Sequence, residues 1–468
     1  MSGLPPKSRL TDGQHVLIGL IIIVFTLLGI AVVMRSALMK RRMGDFGCYA
    51  RAAWAIRSGT SIYDATDDSG FHYNYPPLLA ILMTPLADAP QHAAPHPQLC
   101  YGITILVWYL LSLLLLAIAV HWLAGALEEG SSLWGAPSES PAWWALRLGP
   151  VLVCAVPVGH TLVRGQTNLL LLCLFCGLIA CAARGQSYRA GLCLAGSILL
   201  KVFPVYLLIY PLWRRDYRCL AGCAIGLTIG GIAIPVAVLG LPQTLACYRQ
   251  FGEVTLGPAL AVSADSSRSH ELIAATATDS QSFQVTLHNT LHPARATRPA
   301  FPDAWVRWTA RLAGGVLTLI TLLAGRAAKS ANDTCLVYAG LIIITLLLSP
   351  VCHLHYFCLA IPLLMALMVT TWRRRQDHRL GIGLTALFAV FALGNLVPTL
   401  PGCELLRDLG LAMYVALGLW LMAVVTLKSR RICTGTAHVV SGTGRTHPLV
   451  LTPLLGGEPR RRTDPTAA

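Results

Sequence analysis

The sequence predicts an all-α integral membrane protein, a polytopic helical bundle of about ten full spans, and three observations carry that expectation. Hydrophobic residues make up 55% of the 468 positions and charged residues 12%, a balance that no soluble domain of this length needs; the mean hydropathy is +0.62. Runs of about twenty residues with almost no charge recur along the chain, each matching the thickness of a bilayer. The basic residues lie in short clusters between those runs, as the positive-inside rule expects.

Residues 1–15 form a cytoplasmic N-terminus, and 16–427 form the membrane domain. The first apolar run, 16–34, is too long for a signal-peptide core and lacks a small-residue cleavage site, so it reads as a retained span. The external loop 40–98 follows. Its stretch 45–58 has helical character, and 78–86, LLAILMTPL, is too short to cross and belongs in the interface. Further spans fall at 100–124, 143–163, 168–183, 219–240, 305–325, 332–350, 354–371, 380–400 and 405–427, with a second external loop at 241–304. The tail, 428–468, is basic and rich in Gly, Thr and Pro, and is expected to be disordered and cytoplasmic.

Residues 190–213 are the ambiguous element. Read as one span, they put the clusters at Arg184 and Arg214 on opposite sides of the membrane. Lys201 and Pro204 interrupt them near the middle, and proline removes a helix donor and bends the chain. Two half-helices in a hairpin, with Lys201 near the apex, keep both clusters cytoplasmic and are the favoured reading. With the N-terminus inside, the clusters at Lys7 and Arg9, 184–189, 214–218, 326–329, 373–379 and 428–431 then all fall inside. Lys40, Arg41 and Arg42 violate the rule and come out external. Interfacial snorkelling explains such a cluster, and so does an anionic lipid phosphate.

The net charge of +15 follows this membrane pattern and does not point to nucleic acid. Most of the 15 cysteines sit in apolar runs, where they behave as small hydrophobes, so neither a disulfide framework nor a metal site is expected. Asp45 stands out in a chain with only 21 acidic residues, because a carboxylate beside a span is costly to place and is a functional candidate by default. The same topology brings Gln166 and Asn168 (in RGQTN), Lys201, Gln281, His288, His353 and His355 to the outer face. Each has a structural alternative: Gln166 and Asn168 as helix caps, Lys201 snorkelling, the histidines packed in a core. His353 and His355, two apart, would not share a helix face, and His288 and His292 have no third ligand in sight.

The stretch GDFGCYARAAWAIRSGTSIYD, followed by FHYNYPPLLAILMTPLA, resembles glycosyltransferase family 87, integral-membrane enzymes of the GT-C fold. The matching positions are Asp45-Phe46, Tyr49 to Trp54, Gly59 to Tyr63 and Tyr75-Pro76-Pro77. They continue at GQTN (Gly165 to Asn168), the unit of Ala190, Gly191, Lys201 and Pro204, QSF (Gln281 to Phe283) and SPVCHLHY. Ser280 stands where the family often has Asn, His288 and Asn289 where it often has Arg, and Cys352 where Trp commonly precedes a His.

The resemblance implies transfer of a hexose, mannose, from a polyprenyl-phosphate donor to a lipid- or glycan-linked hydroxyl at the extracytoplasmic face of the cell membrane, with inversion. It implies Asp45 as the base, with Arg41, Arg42, Gln166, Asn168, Lys201, Gln281, His353 and His355 around donor phosphate and sugar. Tyr49, His72, Tyr75 and His288 are the acceptor or loop candidates. No cofactor or metal is required by that scheme beyond the polyprenyl-phosphate-linked co-substrate, and the partners are the bilayer, donor and acceptor. Two other classes compete: a transporter or lipid flippase, which internal inverted repeats would favour although none is visible, and a non-catalytic partner in an envelope assembly.

Overall fold

The computed structural model describes residues 11–40, 43–90, 99–129, 140–260, 268, 271, 274, 279–373 and 378–440. Arg41, Arg42, the first ten residues, most of 261–278 within the second loop and the tail beyond 440 lie outside the described residues. Contacts divide the chain into a large unit, Met1–Lys428, and a second, Ser429–Ala468, whose described part (429–440) is helical.

Eight helices among the described residues are long and apolar enough to cross a membrane, and nine if the bent pair α5 (Pro141–Val153) and α6 (Ala155–Arg164) is one span. The chain is an all-α, multi-pass membrane protein. The expected span at 168–183 is α7 (Asn168–Ala183), whose 16 residues rise about 24 Å, less than the ~30 Å of a hydrocarbon core. It can be short because protein, not lipid, surrounds it: Leu169, Leu171, Leu172, Phe175 and Cys176 are all buried. The 66° bend between α5 and α6 falls at Cys154, which leaves the helical region. Pro157 has no N–H to give to the Val153 carbonyl, which places the break there.

Residues 187–216 form the hairpin. α8 (Ser187–Leu200) lies parallel to α10 (Tyr217–Thr228) and its continuation, because positions along the two advance together. A Cβ on Gly222 would meet Tyr188 O at 2.3 Å, one on Gly226 the Ala195 Cβ at 2.6 Å, and one on Gly230 the Leu199 side chain at 2.5 Å. Those glycines permit the close approach. Parallel neighbours require the intervening chain to run back along α8. It does so from an extended Lys201 through a 3-10 turn, Phe203–Leu208, and α9 (Ile209–Arg214). Ser187 Oγ then donates to Asp216 Oδ2 over 2.9 Å and closes the base.

The bundle therefore has two chemically distinct ends. At one, Glu129 pairs with Arg184, Arg214 donates to the Arg326 carbonyl, and Asn332 bonds Thr370. The basic clusters that begin at Arg184, Arg214 and Arg326 gather at this end. At the other end α4 (Tyr101–Glu129) begins, with Trp108 Nε1 donating to Gly165 O at 2.9 Å, and there α7 starts and α8 stops. Two helices of the first loop cap it: α2 (Gly44–Ser58), with Phe46, Tyr49, Ala50 and Ala53 buried, and α3 (Pro77–Leu82), held by Tyr73, whose hydroxyl donates to Pro76 O and accepts from Ala80 N.

Candidate active site

The site is built at the end where α2, the α6–α7 turn, the tip of the hairpin and the 349–356 segment meet. The α6–α7 turn needs its glycine. Gly165 has φ +69°, and a Cβ there would lie 2.6 Å from Phe46 Cβ, so only glycine lets α2 seat against this turn. That seating brings Asp45, in the first turn of α2, against the last residue of α6. Arg164 Nε donates to Asp45 Oδ2 over 3.0 Å, with Asp45 27% and Arg164 49% exposed. A helix N-terminus also favours the carboxylate there.

One helical turn beyond Asp45, Tyr49 is fully buried and its hydroxyl lies 3.0 Å from that of Tyr75 and 3.2 Å from Gln166 Oε1. Burial raises both phenols well above their ordinary range, so they stay protonated. Gln166 Oε1 also accepts from Lys201 Nζ at 3.3 Å. Lys201, only 4% exposed, gives its other protons to Asn168 Oδ1 at 2.9 Å and Tyr356 OH at 3.1 Å. Its ammonium lies 4.2 Å from the Tyr356 ring centre and 5.5 Å from that of Tyr75. No ion pair among the described residues involves Lys201. This is a buried amine held by neutral oxygens and aromatic faces, and the Asp45 carboxylate favours its protonated form.

Asn168 does not cap its helix: α7 has no side-chain cap at Thr167, and the Asn168 amide donates instead to the His355 carbonyl at 3.1 Å. Lys201 does not snorkel. The histidine pair stands differently from a helical reading, because His353 is extended and precedes a 3-10 turn. Their rings therefore stack, centroids 5.2 Å apart, and His353 lies parallel to Tyr356 at 6.2 Å. Burial, then the Arg164 guanidinium, push the His353 imidazole down to about 4, so it is neutral at pH 7. His355 Nε2 is buried without a hydrogen-bond partner among the described residues.

Among the sequence candidates, Tyr49, Tyr75, Gln166, Asn168, Lys201, His353 and His355 come together, with Asp45 one turn away. Gln281 adjoins them through its backbone, whose N–H reaches Cys352 O at 2.6 Å, while its amide donates to Arg407 O at 2.8 Å. His72 is held by Glu271 at 2.8 Å, and His288 by the Pro299 carbonyl at 2.9 Å; neither touches the cluster. No group of three His, Cys, Asp or Glu among the described residues is placed to hold a metal. Arg164 and Tyr356 are the partners that residue-by-residue reading did not single out. Both lie inside motifs already marked, RGQTN and SPVCHLHY, and that was their signal.

Comparison with known proteins decides the family. The pattern of glycosyltransferase family 87 matches residues 73–350, more than half the chain. The chain belongs to glycosyltransferase family 87. A curated relative is the polyprenol-phosphate-mannose-dependent alpha-(1-2)-phosphatidylinositol mannoside mannosyltransferase of Mycobacterium tuberculosis, 26% identical over 312 residues. That match covers 65% of this family 87 chain and 64% of the relative's length. Among solved structures, apo ArnT from Cupriavidus metallidurans aligns with 87% of this chain and 76% of its own, at 16% identity and a TM-score of 0.37, too loose a likeness to carry an argument.

Proposed function

We propose that this chain transfers mannose from a polyprenyl-phosphate donor to a lipid- or glycan-linked acceptor hydroxyl, with inversion at the anomeric carbon. One observation carries the reading: a carboxylate, Asp45, and a buried lysine, Lys201, lie at the same end of the bundle, opposite the Arg184, Arg214 and Arg326 end. The positive-inside rule puts that end outside, with both termini cytoplasmic. Family membership and the donor named for the mycobacterial relative support the same chemistry.

The arrangement suits a single displacement. An acceptor hydroxyl is a poor nucleophile, so Asp45 takes its proton as the new oxygen–carbon bond forms. The bond from the anomeric carbon to the phosphate oxygen breaks, and its electron pair leaves on the lipid phosphate. That oxygen gains negative charge, which Lys201 stabilises, while Arg164 holds the Asp45 carboxylate. Gln166 and Asn168 hold Lys201 in place, and Tyr49 and Tyr75 offer phenolic donors between base and cation. Inversion needs the base and the leaving phosphate on opposite sides of the sugar.

Purified protein incubated with radiolabelled polyprenyl-phosphate-mannose and mixed lipid acceptors tests the proposal. Label moving into an acceptor lipid supports it. Flux of an intact lipid across proteoliposomes without transfer would replace it with the transporter reading.

A further inference from the structure

The basic end of the bundle carries a feature that the transfer chemistry does not use. Arg214, Arg215 and Arg218 fall within one short turn at the base of the hairpin. The bond from Arg214 Nη1 to the Arg326 carbonyl, 3.2 Å, brings a fourth arginine to it, and all four are exposed. We propose that these arginines, with the apolar surface beside them, bind the headgroup phosphate of an anionic phospholipid.

Charge comes first. Elsewhere, surface arginines find a carboxylate: Arg184 takes Glu129, Arg249 takes Glu253, and Arg295 takes Asp408. No ion pair among the described residues involves Arg214, Arg215, Arg218 or Arg326. The acid inside the turn is already occupied. Asp216 accepts from Cys219 N through Oδ1 at 3.0 Å and from Ser187 Oγ through Oδ2 at 2.9 Å. Asp333 is likewise held in a capping box with Ser330. The surface is left with a positive field that attracts phosphate.

The backbone adds a second sign. Arg215 ends α9 in the left-handed region, with φ +55° and ψ +36°, and is the one described residue other than glycine with a positive φ. After α2 and α6 the same position is filled by Gly59 and Gly165, since a Cβ there crowds the carbonyl that follows. A long basic side chain in a glycine's place is a strained choice, and strain kept in place points to a use for that side chain.

The neighbouring surface suits a lipid rather than a soluble anion. The return segment of the hairpin and the helix Ala304–Gly325 advance side by side. Their hydroxyls meet at Tyr206 and Thr318 over 2.7 Å, and eight residues further along each chain Arg214 reaches Arg326. Along this stretch Val205, Leu212 and Trp213 on one side, and Leu319 and Leu323 on the other, are exposed. Leu319 and Leu323 precede Arg326 at spacings that share a helix face. Trp213 and Tyr217, both exposed, bracket the arginines as aromatic residues do at headgroup depth. Acyl chains can therefore lie along the apolar side chains while the phosphate meets the guanidinium groups. The positive-inside rule assigns the lipid to the cytoplasmic leaflet, where anionic headgroups attract such clusters. A lipid held there joins the base of the hairpin to the helix Ala304–Gly325, at the end opposite Lys201.

Lipid binding to the delipidated full-length protein, followed by native mass spectrometry, tests this with dioleoylphosphatidylglycerol and dioleoylphosphatidylcholine. The wild type is expected to bind the anionic lipid about tenfold more tightly. Equal binding of the two lipids overturns the site. Arg214→Gln with Arg326→Gln should lose about tenfold for phosphatidylglycerol and nothing for phosphatidylcholine. Arg57→Gln with Arg249→Gln removes two exposed charges at the α2 end and should bind as the wild type does. An equal loss in both double variants shows an effect of net charge alone and overturns the site. Arg215→Gly guards against misfolding, because glycine takes φ +55° freely. Its Tm in phosphatidylcholine nanodiscs should not fall below that of the wild type, while its affinity for phosphatidylglycerol falls severalfold. Undiminished affinity in this variant and in the Arg214–Arg326 double variant overturns the site. Displacement of bound phosphatidylglycerol by millimolar inorganic phosphate would show a site for a free anion and overturn the lipid assignment.

Discussion

Lys201→Met removes the buried charge while keeping most of the side chain's bulk. A lipid phosphate oxygen held about 4 Å from Nζ, at an effective dielectric near 20, gains roughly 4 kcal/mol from that ammonium. Losing this as charge develops lowers kcat/KM about a thousandfold, at one decade for each ~1.4 kcal/mol. The fold should change far less. Asn168 Oδ1 and Tyr356 OH lose their partner at 2.9 and 3.1 Å, but the chain no longer has to bury an ammonium that bonds no carboxylate directly. Gln166 keeps its bond from Tyr49 at 3.2 Å. Lys201→Arg should restore little, because a planar guanidinium does not fit a pocket shaped by two tyrosine faces around a point charge. The assay is transfer from radiolabelled polyprenyl-phosphate-mannose in nanodiscs, with thermal unfolding in parallel. Turnover within about threefold of wild type at unchanged Tm would refute the role given to this cation.

Three further outcomes are expected. Gly165→Ala should lose activity and unfold several degrees lower, since it adds about 1–2 kcal/mol of left-handed backbone strain to a methyl 2.6 Å from Phe46 Cβ; a wild-type Tm would show that α2 does not depend on this turn. For His353, the folded imidazole titrates near 4 against an ordinary 6.5, so the unfolded chain binds a proton that the folded chain refuses between those values. Stability should therefore decline as pH falls from about 6.5 towards 4. His353→Gln should flatten that slope in thermal unfolding, and identical slopes would contradict it. Finally, a cysteine at Ser58 should react with an impermeant thiol reagent from outside the cell and one at Arg326 from inside; the reverse pattern overturns the orientation.

Much of this architecture was legible in the sequence because membrane constraints write themselves into composition. The hairpin could be read from Lys201 and Pro204 together with the two basic clusters, since only a return of the chain keeps Arg184 and Arg214 at one end. Its closure by Ser187 and Asp216, and the glycine seam at Gly191, Gly222 and Gly226, depend on a helix pairing that no local pattern encodes. The short α7 passed as a span because it is uniformly apolar; only packing shows that it is sheathed by protein.

In the site, an isolated polar residue is readable but its partner is not. Asp45 and Lys201 stand out as charges in apolar surroundings, whereas Arg164 looks like an ordinary basic residue at a helix end until Gly165 turns it onto Asp45. Spacing misled for the histidine pair. Two residues apart separates side chains on a helix, but an extended His353 brings its ring over His355. His72 and His288, chosen by type, proved to be held by Glu271 and by the Pro299 carbonyl.

The claim at the centre is that Asp45 takes the proton from the acceptor. Asp45→Asn keeps the shape of the side chain and breaks only a half-exposed pair with Arg164, which contributes little to stability. Single-turnover transfer of labelled mannose by this variant, with its folding checked by Tm, is the direct test. A fall of about a hundredfold or more in the rate of transfer, at unchanged Tm, is expected of a lost general base. Near-normal turnover by the folded variant would contradict that assignment.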